Sequence, residues 1–137
     1  MTFQRGSVQA LYAGCSGQVL LAHAPREVVD EVLAGPIRPL TARTPDRAAL
    51  RRRLTLIRER GYAISKGEIN ADAVGVAVPV FRRRQCVCVV SIAGAAVTLA
   101  GDRLREALRA VTSSAADLGR ILDATSVDTA WSPSPLS

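Results

Sequence analysis

Cys15 stands just ahead of the apolar run Gln18-Val19-Leu20-Leu21-Ala22, where a helix N-terminus can lower a thiol pKa and make a nucleophile. A nucleophile also needs a base, and His23, the sole histidine, lies in the same local stretch. The competing reading makes Cys15 a small residue lining a turn or pocket. With no second imidazole, paired histidine acid/base chemistry is excluded. His23 itself reads as a solvated residue at a helix end, where an imidazolium is favoured. Ser16 has neither a base nor a triad around it. Gly14-x-x-Gly17 can present backbone N–H groups to an anion, but neither a P-loop nor G-x-G-x-x-G is present.

Cys86 and Cys88 form a C-x-C that strand alternation puts on one face. A zinc site needs about four ligands, and no further Cys or His pair exists to supply them. These thiols therefore read as small buried hydrophobes, and no metal or cofactor is expected. Arginines gather at Arg51-Arg52-Arg53, Arg58/Arg60 and Arg82-Arg83-Arg84. Such charge could hold a nucleic acid. No aromatic stacking platform and no helix-turn-helix pattern accompanies it, so the first two groups read as the polar side of a helix and the third as a hairpin tip.

The elements carrying these residues belong to a chain of 137 residues, enough for one domain. Apolar residues are 48% and charged residues 22%, which excludes a disordered chain and a coiled coil. Aromatics are only 4%, so Ala, Val, Leu and Ile must build the core. The formal net charge is +6, almost all of it from arginine, since Lys66 is the only lysine. The three cysteines do not read as a disulfide framework, and the first residues carry no apolar export signal. The apolar stretch from Cys86 to Ala100 is too short to span a membrane and is interrupted by Ser91, Gly94 and Thr98. The expectation is a cytoplasmic protein with reduced thiols.

Residues 7–13 alternate loosely and suggest a short strand. The turn 14–17 follows, with Ser16 as cap for a helix over Gln18–His23. Pro25 suits the first position of a second helix, with Val28, Val29, Val32 and Leu33 as its apolar face and Gly35-Pro36 as its stop. After a loop over 36–43, Thr44-Pro45-Asp46 predicts a third helix with Thr44 as cap and Leu50, Leu54 and Ile57 as its stripe, Ala49 and Leu56 beside them. Gly61 should end it in the left-handed conformation. Tyr62–Ser65, Ala73–Phe81 and Cys86–Ala93 read as strands, the last two joined by a hairpin over 82–85. Pro79 argues that its strand is an edge or is bulged. A long helix runs over Asp102–Ala124, striped by Leu104, Leu108, Val111, Ala115, Leu118 and Ile121/Leu122. Residues 125–137 are Ser/Pro-rich and read as a disordered tail, leaving one domain over 1–124. This order of elements implies an α+β fold, an antiparallel sheet with helices on its faces.

Several ordered strings say more together than apart. They are Leu11-Tyr12-Ala13-Gly14-Cys15-Ser16-Gly17-Gln18-Val19-Leu20-Leu21-Ala22, Thr44-Pro45-Asp46 with Leu50, and Ile57-Arg58-Glu59-Arg60-Gly61-Tyr62-Ala63. Glu68, Val76-Ala77-Val78-Pro79-Val80-Phe81 and Ser91-Ile92-Ala93-Gly94 follow. Their order and spacing over residues 6–124 resemble the C-terminal effector-binding domain of IclR-type bacterial transcriptional regulators. The resemblance implies a GAF/profilin-like antiparallel sheet flanked by helices, a small organic acid as effector, and a homo-oligomer, dimer or tetramer. It implies that operator DNA is held by a separate N-terminal winged helix, for which this chain has no room. The first helix and strands of the effector domain also have no counterpart here, so the chain reads as a truncated regulator or one with a misassigned start. A sheet without those strands exposes backbone that can pair with another chain.

By position, the resemblance places effector contacts at Cys15, Ser16 and Gly17, at Ser65 where the family pattern has an acid, and at Gly75 where it has a cysteine. Ser91 and Ala93 take the places of two small polar residues on the return strand. Loss of an acid, a thiol and a hydroxyl implies a roomier, less polar pocket, suited to a larger apolar or aromatic acid rather than a two- or three-carbon keto acid. The readings that compete with a ligand sensor are a small enzyme using Cys15 or Ser16, and a nucleic-acid-binding module using the arginine groups.

Overall fold

The computed structural model describes residues 8–125. Three helices precede a three-stranded antiparallel sheet, and a long helix closes the chain. They are α1 (Cys15–Ala22), α2 (Arg26–Ala34), α3 (Arg47–Arg60), β1 (Ala63–Lys66), β2 (Ala73–Arg82), β3 (Gln85–Ala95) and α4 (Asp102–Ala124). The sheet order is β1-β2-β3. This is the α+β arrangement the sequence implies.

The sheet separates two cores. On one face α1, α2 and α3 gather Val19, Leu21, Ala22, Leu33, Leu50, Leu54 and Ile57 over Ala63 and Ala77. On the other, Val76, Val78 and Val80 of β2 meet Ala107, Val111 and Ala115 of α4. β2 is covered on both faces, which is why its valine-dense sequence is buried from Val74 to Val80. In α4 the buried residues are Ala107, Val111, Ala115 and Gly119, small side chains four apart. Leu104, Leu108, Leu118 and Leu122 flank this seam and are partly buried, so the helix lies close on β2. Ile121 falls outside it and is 61% exposed, unlike the stripe the spacing suggests. Leu56 of α3 is likewise exposed.

Several local expectations shift. Residues 8–13 form no strand, because they are not paired into the β1-β2-β3 sheet. Helix α1 begins at Cys15, three residues before the expected start, and Gly14 is its N-cap with φ 81° and no side-chain cap. A side chain at 14 would be strained and would also meet Ile69. Ser16 therefore sits inside the first turn and caps nothing. Pro25 is the N-cap of α2 rather than its first residue. Asp46, not Thr44, caps α3, accepting from the Ala49 N–H at 2.8 Å. Thr44 serves the fold elsewhere: its Oγ1 accepts from the N–H groups of Leu40 and Thr41 and donates to the Glu68 carbonyl at 2.7 Å.

Gly61 ends α3 in the left-handed region, φ 81° and ψ 16°, as its position requires. Pro79 lies in the middle strand, contrary to a simple edge reading. However, β1 begins at Ala63, opposite Ala77, so among the described residues the only strand beside Pro79 is β3. A register shift follows immediately at Val80/Phe81. The missing N–H is tolerated because the strand is locally an edge and then bulges. The tail expected over 125–137 lies outside the described residues apart from Thr125.

Candidate functional site

The β1–β2–β3 register sets one row of small residues across the sheet. Ser65 is opposite Gly75, and Gly75 is opposite Ala93. Two residues along β3, on the same face, Ser91 pairs with Ala77. The first turn of α1 sits above this row. Between them lies a cavity of about 410 Å³, bounded further by Leu11, Leu20, Ile69 and Val74. Its lining includes Cys15, Ser16, Gly17, Ser65, Gly75, Ser91 and Ala93, so the seven positions carried over by resemblance come together around one space.

Two contacts fix α1 over the sheet. The Cys15 N–H donates to Ser65 Oγ at 3.1 Å. The Gly14 N–H donates to Glu68 Oε2, also at 3.1 Å. Each satisfies a helix-start donor that has no intrahelical acceptor. Gly17 carries no side chain where the incoming chain crosses α1: a Cβ there would lie 2.9 Å from the Ala10 carbonyl oxygen.

Glu68 is among the residues that carry the resemblance, but the sequence reading gave it no place at the site. It is 3% exposed and lines the cavity. Its carboxylate takes the Gly14 N–H, the Gln18 amide at 3.2 Å and an ion pair with Arg53. Gln18, fully buried, also donates to the Tyr12 carbonyl and accepts from Arg53 at 3.3 Å. A buried carboxylate is tolerated only when so paired. Consequently Arg53 is not on the solvated side of α3, as the arginine run suggests. The available signal was slight: a lone acid after Gly67, and a lone glutamine inside an otherwise apolar helix.

The thiol absent at position 75 is supplied from the opposite wall. A Cβ on Gly75 would stand 2.7 Å from Cys15 Sγ, so thiol and glycine fill one volume together. The acid absent at Ser65 has a counterpart in Glu68, but its charge is met by Arg53. The cavity is therefore less stripped of polar groups than the substitutions imply, and its walls remain mainly apolar. Burial raises the Cys15 pKa, outweighing hydrogen bonds from Ser65 and Ser16 that lower it. Cys15 remains a thiol at neutral pH, the opposite of an activated nucleophile.

His23 is the C-cap residue of α1, at the helix end as the sequence suggests, but its ring is not solvated. Its ring packs edge-on to Phe81, centroids 5.2 Å apart, and its Nε2 is buried without a hydrogen-bond partner among the described residues. Burial, then the Arg58 charge, lowers its pKa. Cys86 and Cys88 are half-buried on β3, and the Cys86 thiol donates to the Cys88 carbonyl at 3.5 Å. Among the described residues no group of three His, Cys, Asp or Glu could hold a metal. No helix there is long and apolar enough to cross a membrane.

Other arginines of α3 also act inside the fold. Arg47 donates to the Leu33 and Gly35 carbonyls at the end of α2, and Arg58 donates to the Ala22 carbonyl at the end of α1. Cations are favourable at helix C-termini. Arg60 stacks over Tyr62, 4.8 Å from the ring centre.

Known proteins resemble this chain in sequence and in shape. The family described as bacterial transcriptional regulator IclR, C-terminal, matches residues 1–120. An IclR homologue from Microbacterium hydrocarbonoxydans, solved in complex with 4-hydroxybenzoate, is 31% identical with a TM-score of 0.77, covering 84% of this chain and 47% of its own. IclR from Thermotoga maritima is 31% identical with a TM-score of 0.75, covering 82% of this chain and 47% of its own. The C-terminal domain of E. coli transcriptional regulator KdgR is 30% identical with a TM-score of 0.72, covering 82% of this chain and 71% of that domain. The chain thus spans about half the length of the first two regulators. No curated protein matches it by sequence.

Proposed function

The chain belongs to the IclR C-terminal family of bacterial transcriptional regulators, and we propose that its cavity between α1 and the sheet is an effector site for a small organic acid, aromatic rather than a short keto acid. The family is one of transcriptional regulators, not of enzymes. The observation that carries the proposal is the cavity itself. Its volume of about 410 Å³ lies within the roughly 300–1,000 Å³ of small-molecule sites. Apolar walls from Leu11, Leu20, Ile69 and Val74 suit a ring. The Ser16 and Ser91 hydroxyls and the open first turn of α1 offer donors to a carboxylate. Arg53 holds the Glu68 charge, so the buried acid does not repel an anionic ligand.

The 31%-identical homologue solved with 4-hydroxybenzoate supports the aromatic class. Ligand occupancy would act on a DNA-binding partner domain as a coupling between two sites. Titration calorimetry with 4-hydroxybenzoate, benzoate, pyruvate and glyoxylate tests the class. The aromatic acids should bind ~10-fold or more tightly than the keto acids, a difference of about 1.4 kcal/mol; the reverse order sinks the assignment. Ser91→Leu should abolish binding while the melting temperature holds, because position 91 is exposed at the cavity rim. Retained affinity would place the ligand elsewhere.

A further inference from the structure

A second cavity, of about 170 Å³, shares Val74 with the first and is otherwise lined by different residues. It is bounded by Gly67 and Ala71 of the loop between β1 and β2, and by Ala100 and Gly101 ahead of α4. Its charged members are Arg43 and Lys66, and no acid lines it. Among the described residues neither cation has an ion-pair partner, whereas Arg26, Arg53, Arg105 and Arg120 are each paired with an acid. The acids beside the lining in sequence do not neutralise them. Glu68 is held by Arg53, Asp102 by Arg105, and Asp72 stands outside the lining.

The fold places Arg43 deliberately close to this loop. Thr41 Oγ1 accepts the Arg43 N–H at 3.0 Å and donates to the Gly67 carbonyl, and Thr44 Oγ1 donates to the Glu68 carbonyl at 2.7 Å. The two threonines thus clasp the segment around Arg43 onto the β1–β2 loop. The Arg43 stem lies on Gly67: a Cβ at 67 would stand 3.1 Å from Arg43 Cδ and 3.0 Å from the Ala71 carbonyl oxygen. With φ 68°, Gly67 is also where a side chain would be strained. Lys66 is its neighbour in the chain, so the close approach at Gly67 brings both cations to one cleft. Like charges so placed repel, and an anion between them removes the repulsion.

We infer that this second cavity binds a phosphoryl group, inorganic phosphate or the phosphate of a small monoester, between the Arg43 guanidinium and the Lys66 ammonium. Its volume of about 170 Å³ is below the roughly 300–1,000 Å³ of small-molecule sites, so it suits a compact anion and not a cofactor. Two cations match the charge of about −1.5 to −2 on a phosphate monoester at neutral pH, where a carboxylate carries only one. The guanidinium offers a planar fork of donors to phosphate oxygens and the ammonium a point charge. Both side chains are exposed, so the anion exchanges with solvent and binding weakens with added salt. The β1–β2 loop joins the two cavities: Gly67 and Ala71 line this one, Glu68, Ile69 and Asn70 the other. Phosphate would therefore bias the loop that borders the proposed effector site. That consequence rests on the effector reading, whereas the phosphate site does not.

Titration calorimetry of the 137-residue chain with inorganic phosphate, at fixed ionic strength, should show saturable binding. Arg43→Met and Lys66→Met keep an apolar stem and remove the charge. Each should weaken phosphate binding ~10-fold or more, the scale of a hydrogen bond to a charged group, with circular dichroism and the phosphate-free melting temperature retained. Arg52→Met removes an equally exposed arginine of α3 outside the cavity and should change the affinity by less than ~2-fold. Glycerol 3-phosphate separates the two sources: tighter binding than phosphate assigns a monoester, weaker binding the free ion. Saturating 4-hydroxybenzoate should leave the phosphate site open. Direct competition would put phosphate in the first cavity and overturn the inference. Absence of saturable binding overturns it, and so do equal losses in all three variants, which would mean a diffuse surface field. The variants report on phosphate whether or not the aromatic acid binds.

Discussion

Cys15 and Gly75 share one volume in the cavity wall, which makes each the test of the other. A methyl group at position 75 would sit 2.7 Å from the sulfur, and the surrounding backbone is held by the Cys15–Ser65 hydrogen bond. Gly75→Ala should therefore cost about 1–3 kcal/mol in urea unfolding, the range for overpacking a filled site. In a Cys15→Ala background the same change should cost less, by ~0.5 kcal/mol or more, the scale of coupling between touching residues. Strict additivity would show that the backbone, not the thiol, absorbs the strain. His23 supplies a second residue-scale prediction. Its folded pKa is lowered from 6.5, first by burial and then by Arg58. As pH falls, the unfolded chain takes up the proton first, so this contribution is present above 6.5 and is lost as pH drops towards the folded value. His23→Phe keeps a ring against Phe81 and removes the titration. Between about pH 7.5 and 5.5 its melting temperature should fall less than that of the parent, and parallel slopes would overturn the argument.

Among the elements, the β2–β3 hairpin carries a conflict between sequence and backbone. Its two turn residues, Arg83 and Arg84, have φ of 49° and 65°. Two-residue hairpins of this kind favour Asn-Gly, because side chains resist the left-handed region. The tip is held by Asp123 of α4, whose carboxylate accepts from the Arg83 backbone N–H at 3.1 Å. Replacing the pair by Asn-Gly keeps that N–H and relieves the strain. Thermal unfolding should show a gain of ~1 kcal/mol; a loss would mean the arginine side chains hold the tip. Elements were legible where one local rule acted alone. The bounds of α4 and the Gly61 stop of α3 needed only periodicity and a left-handed position. The cap of α3 was not, because Thr44 and Asp46 both qualify and the choice depends on the distant Glu68 carbonyl. Segment 8–13 alternates as a strand does, but a strand exists only beside a partner. The Glu68–Arg53–Gln18 cluster joins three segments, so no local pattern could reveal it. The cavity row was legible only through the family resemblance, position by position, since the strand register that aligns Ser65, Gly75 and Ala93 is not visible in the sequence.

At the scale of the molecule, the net charge of +6 favours any polyanion in principle. How that charge is placed decides whether it forms a nucleic-acid surface. Arg47, Arg53 and Arg58 are turned to carbonyls and to Glu68, and Arg60 to Tyr62. Arg105 and Arg120 pair with Asp102 and Asp117 on α4. Arg26 pairs with Asp30 on α2; among the described residues the remaining exposed arginines are divided between the α2–α3 connection, α3, the hairpin tip and α4, and the sheet separates the α4 set from the α3 set. One duplex cannot reach both. Fluorescence anisotropy with random duplex DNA should therefore show weak binding, changing by only ~10-fold between about 50 and 200 mM salt, the release expected for one or two phosphate contacts. A protein with 6–10 phosphate contacts would lose roughly 10³–10⁵ over the same interval. A slope of that size would establish a nucleic-acid surface on this domain and overturn the argument from charge placement.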